Sequence, residues 1–471
     1  MSSDLLRISL KACLVAAAVA AFCAGGPARG ATPDAEARLA ARRTFVVKLV
    51  EECLPSAAAA QSVAGNVTTT ESGVIIHEAG YVLTSNTVGG GANGRVQMSD
   101  GTVLPSTTLL QIPEFNLALV KVDAGRPLKP MRIGRSAEAK LGEPVVIIAN
   151  QAGLTNTVST GIVSRFDGDI IQTTAATNSG SFGAPLIDSR GRLIGILYAN
   201  RADKENIAFA IGTDALCRKF PEILSAEKRY GIRLGLAVEP MGEPKVTAVE
   251  EGSPAADAGI EVGDIIREAG TLRIDHPLHV HIALINRKPG EELPLKVQRG
   301  EATLTFNLTV GELPFRPAED VAGLVKGAIN WSVYFGNWQA LPNFDEFGPA
   351  ENGQAPAISQ TAYPKVDRSF GLRFTGYVEV PADGLYTFYT ASDDGSRLWI
   401  GDELLVDNDG VHGVVEKSES IRLKAGKHPI KVTYFQAGYG FSLQVLYKGP
   451  TFDKRVIPAD ALYAVPEAKT K

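Results

Sequence analysis

The stretch TTAATNSGSFGAPLID, Thr173 to Asp188, sits among runs that read as short strands. Gly73-Val-Ile-Ile76, Tyr81-Val-Leu83 and Val145-Val-Ile-Ile148 precede it and Leu193-Ile-Gly-Ile-Leu197 follows, each aliphatic or β-branched and set off by Gly, Asn or Asp. Many short apolar runs with turn residues between them predict an all-β barrel or sandwich. Inside the stretch, Phe182 carries no atom that can be acylated, and Ser181 beside it is the nearest hydroxyl.

The order of the surrounding words narrows this further. Asn178, Gly180, Gly183, Pro185 and Leu186 match the nucleophile loop of the HtrA/Deg family, with Ala184 in place of a glycine and Phe182 in the serine position. ESGVIIHEAGYVLTSNTV, FNLALVKVD, IGRSAEAKLGEPVVIIANQAGLTNTVSTGIVS and GRLIGILYANRADKENIAFAIGTDAL are similar, in the same order, to other segments of that family. The resemblance implies a trypsin-like double β-barrel over 63–222.

A serine protease needs a nucleophile, a base within hydrogen-bond reach and a carboxylate that orients the base. By the resemblance those three positions are Phe182, Thr87 and Asn116. None accepts a proton near neutral pH. A one-residue slip turns Ser181 away from the site, and His77 belongs to an earlier strand. The oxyanion hole that Gly180 and the Phe182 N–H would form supplies at best about 10³-fold acceleration without the triad. The expectation is a lost active site, with Phe182 filling the former cleft; a working endopeptidase with an unusual triad is the competing reading.

Length and composition set the frame. At 471 residues, 45% hydrophobic and 21% charged, the chain calls for about three domains. A formal net charge of -5 without a basic block argues against a nucleic-acid partner. Residues 1–30 read as a signal peptide: Arg7 and Lys11 precede the apolar run Ala12 to Ala24, and Ala28-Arg29-Gly30 fits a cleavage site. The expected location is therefore the periplasm or cell surface. Residues 31–62 read as an N-terminal helix and linker, with Phe45, Val46, Leu49, Val50 and Cys53 at helical spacing before Pro55. Its apolar stripe packs either within the chain or across subunits. After removal of the signal, Cys53 and Cys217 remain. They either form a bridge worth about 5 kcal/mol in the chain-entropy model or stay as buried thiols.

Residues 228–312 resemble the PDZ domain that follows the protease in the HtrA family, on the run from Gly252 to Ile265, GSPAADAGIEVGDI. That resemblance assigns Leu234, Gly235 and Leu236 to the loop whose N–H groups hold a peptide's terminal carboxylate, with a polypeptide C-terminus or unfolded protein as partner. Occupation of the groove by a neighbouring segment of the chain is the alternative. His276, His279 and His281 read as a loop and helix surface rather than a metal site.

Residues 313–320 read as a linker. Beyond it, 321–465 hold all three tryptophans and resemble the β-sandwich named after the anthrax protective antigen, through RFTGYVEVPADGLYTFYTASDDGSRLWIGDELLVDNDG and LKAGKHPIKVTYFQAGYGFSLQVLYKGP. In glycan-binding members paired aspartates hold calcium, which sugar hydroxyls share. The resemblance then gives Asp393 and Asp394 as calcium ligands, Asp407 and Asn408 as further oxygens, and Trp399 or His412 as a stacking face for a cell-surface glycan. A hairpin turn capped by its own aspartates is the alternative. The fold class expected for the whole is mostly β: double barrel, PDZ α/β domain and C-terminal β-sandwich. A homo-trimer or a hetero-oligomer with active HtrA members is the assembly that the resemblance implies.

Overall fold

The computed structural model describes residues 44–64, 67–89, 94–112, 115–200, 207–224, 226–363, 369–438 and 440–466. The signal-peptide expectation and the start of the N-terminal segment lie outside these residues. The chain divides into two compact units, one built of the barrels up to Ala210, the other running from Ile211 to the end with the short pieces Thr108–Phe115 and Arg135–Ala137.

The first described element is α1 (Phe45–Cys53), capped at Thr44, whose hydroxyl accepts the Val47 N–H. The helical pattern stops there. Ala57–Ala60, which the composition assigned to helix and linker, opens strand β1 (Ala57–Ala64), paired along its length with β2 (Val67–His77). Alanine has the highest intrinsic helix propensity, but propensity is a weak preference, and a strand register with Val74, Gly73, Ser72 and Glu71 overrides it. With β3 (Tyr81–Ser85), β4 (Arg95–Met98), β5 (Val103–Ile112) and β6 (Leu117–Val122) these strands close a barrel in the order β1-β2-β3-β6-β5-β4. The short helix α2 (Asn86–Gly89) follows β3.

A seven-stranded sheet comes next, from β7 (Arg132–Ile133), β8 (Pro144–Gln151), β9 (Leu154–Asp167), β10 (Ile170–Thr173), β11 (Pro185–Ile187), β12 (Arg192–Asn200) and β13 (Ala208–Gly212). Pairing of β11 with β12 closes it into the second barrel. Its core holds Val145, Ile147, Leu186, Ile194 and Leu197, the aliphatic runs read from the sequence. Cys53 and Cys217 are both buried and free. Burial pushes the Cys53 thiol up to about 11 and the Cys217 thiol up to about 12.

The second unit starts with α3 (Thr213–Leu224) and α4 (Ala226–Tyr230), followed by β14 (Ile232–Arg233), β15 (Leu236–Val238) and β16 (Val246–Val249). The run from Gly252 forms α5 (Pro254–Ala258), capped by Ser253 and stopped by Gly259 at φ 89°. Then come β17 (Ile265–Ala269), β18 (Leu272–Arg273), α6 (Pro277–Ala283), β19 (Glu292–Arg299), β20 (Ala302–Thr309) and β21 (Gly311–Glu312). His276 caps α6 by accepting the Leu278 N–H, and His279 is buried rather than on a surface.

The C-terminal residues form two packed sheets. Strands Phe370–Val380 and Gly384–Asp393 belong to different sheets, and along most of each, buried residues alternate with partly buried ones. Phe374, Phe388, Tyr386 and Tyr447 meet in the core between them, each contributing about 2 to 3 kcal/mol through apolar burial. Residues 313–320 are not a free linker. Arg316 and Glu319 bridge to Leu423 and Lys427, and the Arg422 guanidinium lies 3.8 Å from the Phe315 ring centre. Arg422 also donates to the Leu313 carbonyl and pairs with Glu312, so the segment is laid along the sandwich by hydrogen bonds and a cation–π contact.

Candidate functional site

The loop between β10 and β11 is drawn against β2 and β8 by close backbone approach. Gly180 and Gly183 have φ of 89° and 83°, and a Cβ on either would meet a carbonyl oxygen, Asn150 at 2.1 Å or Ser72 at 2.3 Å. Ser72 is the hub. Its hydroxyl donates to Gly180 O at 2.6 Å and accepts the Asn150 N–H at 2.8 Å, while its own N–H donates to Phe182 O at 3.0 Å.

The neighbouring residue on β2, Glu71, points into the cleft and is only 8% exposed. Its Oε2 accepts the Phe182 N–H at 3.2 Å, and its Oε1 accepts the Thr87 hydroxyl at 3.5 Å. Burial pushes the carboxyl up to about 7, against the pull of those two hydrogen bonds. The N–H at the nucleophile position, which in an oxyanion hole faces the substrate, is therefore already held by a side chain of the same chain. Thr87 also shares a 2.8 Å hydrogen bond with Ser85.

Asn116 takes the left-handed conformation, φ 51°, and its carbonyl accepts the Asn86 N–H at 2.9 Å beside Thr87. Its side-chain amide donates to Tyr198 O at 3.3 Å. Ser181 is fully buried, and its hydroxyl accepts the Asn178 N–H inside the loop. His77, at the end of β2, accepts the Ala79 N–H and packs edge-on against Tyr81, so no imidazole reaches Phe182 from there. Phe182 is half-buried; Glu71, rather than the aromatic ring, occupies the hydrogen-bonding position of the cleft.

In the second unit Leu234, Gly235 and Leu236 lie at the start of a cavity of about 420 Å³ between β15 and α6, walled by Leu234, Leu236, Val238, Val280 and Leu284. Gly235 at φ 70° turns consecutive N–H groups to one side, and both the Leu234 and Gly235 N–H donate to Glu227 Oε1, at 2.7 and 3.3 Å. Glu227 lies on α4. His281, whose imidazole is pushed down to about 4 by burial, and Glu419 of the sandwich also line the cavity.

In the sandwich, the two carboxylate oxygens of Asp394 accept the His412 and Ala437 N–H groups, at 3.2 and 2.7 Å. Asp407 pairs with Arg397 at 3.0 Å, and Asn408 is fully buried, donating to Ser392 and to Val415 O. His412 bonds Asn408 O and Gly413 O. Trp399 lines a cleft of about 320 Å³ with Arg373, Arg397 and Lys431, its ring 4.1 Å from Lys431 Nζ. Among the described residues no group of three or more His, Cys, Asp or Glu could hold a metal ion. Asp394 already caps two backbone N–H groups, and Arg397 pairs with both Asp407 and Asp409.

Comparison with known proteins follows the same three-part division. Residues 71–196 match the trypsin-like peptidase domain, 227–310 the PDZ domain and 330–461 the PA14 domain. The putative serine protease HhoB of Synechocystis is 32% identical over 279 residues, covering 52% of this chain and 67% of its own length. The chain belongs to the HtrA family. A DegP-like periplasmic serine endoprotease of Brucella suis is 30% identical over 272 residues, and this HtrA-family chain spans about half (52%) of its length. The crystal structure of the serine endoprotease from Yersinia pestis, 26% identical, aligns with 57% of this chain and 98% of its own at a TM-score of 0.36.

Two residues escaped the sequence reading. Glu71 left a signal: it stands just before the apolar run Gly73-Val-Ile-Ile76 in a segment that carries the family resemblance, and a carboxylate there invites attention. Glu227 left none, because only the return of α4 toward the Leu234 loop brings them together.

Proposed function

We propose that this HtrA-family chain is an exported scaffold that holds polypeptide segments without cutting them. The observation that carries the reading is the Glu71 carboxylate on the Phe182 N–H, in a cleft whose triad positions are Thr87, Asn116 and Phe182. A substrate carbonyl polarised there would meet an acceptor in place of a donor, and nothing at the three positions can generate a nucleophile. Export is supported by the periplasmic relatives in Brucella and Ectopseudomonas. Peptide binding is supported by the PDZ match and by the apolar cavity beside β15. Self-association, or co-assembly with active family members, is supported by α1, which buries Leu49 and Cys53 yet leaves Phe45 50% exposed.

The test is incubation of the mature protein with a reduced, unfolded polypeptide. The expected result is retention of the polypeptide in complex with no new fragments on a gel. Progressive fragmentation that tracks the purified protein would replace the scaffold by an endopeptidase.

For the sandwich, calcium-assisted glycan binding competes with a capped turn at Asp393-Asp394, and the bonds of Asp394 to Ala437 and His412 favour the turn. An ion that binds only the folded state stabilises it by mass action. Chelator and added calcium are therefore expected to leave the melting temperature unchanged. A calcium-dependent rise abolished by Asp394→Ala would restore the metal site, and with it the glycan as partner.

A further inference from the structure

Within the reading of the PDZ groove as a polypeptide site, the Leu234 loop presents a contradiction. Two consecutive N–H groups turned to one side make an anion cradle, and in this chain one oxygen of Glu227 fills it, 2.7 Å from Leu234 N and 3.3 Å from Gly235 N. An arriving terminal carboxylate would have to expel Glu227. It would also approach Glu419, which lines the same cavity from the sandwich.

Among the described residues that line the cavity or flank the loop, no cation offsets this. Lys228 lines the cavity but is paired with Glu403 at 2.6 Å, and Arg233 is paired with Glu250 at 2.8 Å. His281, the remaining basic side chain on the lining, is held neutral by burial at ordinary pH. Glu227 is itself fixed from both sides of α4. The Leu234 loop receives its carboxylate, and the next residue, Lys228, pairs with the sandwich.

Past the cradle one wall of the groove is apolar, formed by Leu236, Val238, Val280 and Leu284. Among the described residues β15 pairs with β16 on one edge only, so its other edge can take an added strand. Leu236 and Val238, two residues apart, face the cavity opposite Val280 and Leu284, which suits an aliphatic side chain of an extended segment.

We propose that Glu227 supplies in cis the carboxylate that this loop binds, and that the groove therefore takes an internal extended segment with an aliphatic side chain rather than a free C-terminus. The inference rests on the polypeptide-binding reading above. Specificity then lies in strand addition and the apolar pocket, and an unfolded chain can be held anywhere along its length.

The experiment uses the full mature protein and an array of extended aliphatic decapeptides, each made as free acid and as C-terminal amide, with binding read by fluorescence anisotropy. For the natural protein, acid and amide are expected to bind within about twofold of each other. Glu227→Ala should bind the acid about tenfold or more tighter than the amide, since freed N–H groups then meet a charged acceptor. Glu227→Gln keeps the shape and removes the charge, and should show a smaller acid preference. Backbone amide exchange reports the mechanism independently, with protection of the Leu234 and Gly235 N–H lost in Glu227→Ala. A tenfold acid preference in the natural protein, or none in either variant, overturns the inference while leaving polypeptide binding intact. Binding of no peptide by any of the three proteins overturns both.

Discussion

Glu71→Gln is expected to make the double barrel more stable at pH 8 and to flatten its dependence on pH between about 4.5 and 7. The carboxyl titrates near 7 in the folded chain against 4.5 in the unfolded one, so between those values the folded state holds a proton that the unfolded state has released. Stability contributed by this group is therefore full below pH 4.5 and falls as pH rises through 7. A shift of this size corresponds to at most about 3 kcal/mol, and solvent screening of a carboxyl that is not fully enclosed brings the expected effect to about 1 to 2 kcal/mol once both states are ionised. Glutamine keeps an acceptor for the Phe182 N–H and carries no charge to desolvate. Scanning calorimetry at pH 5 and pH 8 checks this on the transition of the double barrel. An unchanged slope in the variant would mean that Glu71 is solvated and does not sit on the Phe182 N–H.

Restoring hydrolysis is the second large effect, and it requires more than a serine. Phe182→Ser alone should remain unreactive toward a fluorophosphonate, because Thr87 cannot act as base and Asn116 cannot orient one, and triad members act as a unit. Thr87→His, Asn116→Asp and Phe182→Ser together still leave Glu71 against the N–H that must stabilise the oxyanion. Adding Glu71→Gly, which removes the carboxylate from that N–H, should raise the rate of labelling a further 100-fold or so over the triple variant, the scale of one oxyanion-hole donor. Equal labelling of triple and quadruple variants would assign the block to Ala184 and the loop instead. Labelling of the Phe182→Ser single variant at the substituted position would contradict the unit behaviour of the three positions.

How much of this was legible beforehand follows from which forces leave a mark in sequence. Val145 to Ile148 and Leu193 to Leu197 are buried on both faces, so their strands read as continuous aliphatic runs, and Gly252 to Ile265 spells out a cap, a short helix and its glycine stop. The three triad positions followed from the resemblance, segment by segment. Ala57–Ala60 misled because alanine carries almost no pattern, and its strand is chosen by the partner, residues 71 to 74. Leu313 to Asp320 looked like a linker because prolines and mixed charge do not announce that Phe315 and Arg316 will dock against Arg422 and Leu423. Asp394 could be read either way, since a turn cap and a cation ligand need the same carboxylate. The two glutamates that fill the anion cradles were hidden for a different reason. Glu71 reaches Phe182 across 111 residues of sequence and Glu227 reaches Leu234 across a change of direction, and neither spacing has a period to detect.

The most direct measurement of the central claim is labelling of the unmodified protein with a fluorophosphonate, followed by mass spectrometry of the peptides around Phe182. The reagent reacts only with an activated serine oxygen, and Ser181, fully buried with its hydroxyl accepting the Asn178 N–H, is not one. The account predicts no adduct after prolonged exposure, under conditions in which an active trypsin-like enzyme is labelled to completion. A stoichiometric adduct on Ser181, or on any other serine of the double barrel, would contradict it and return the chain to the working endopeptidases.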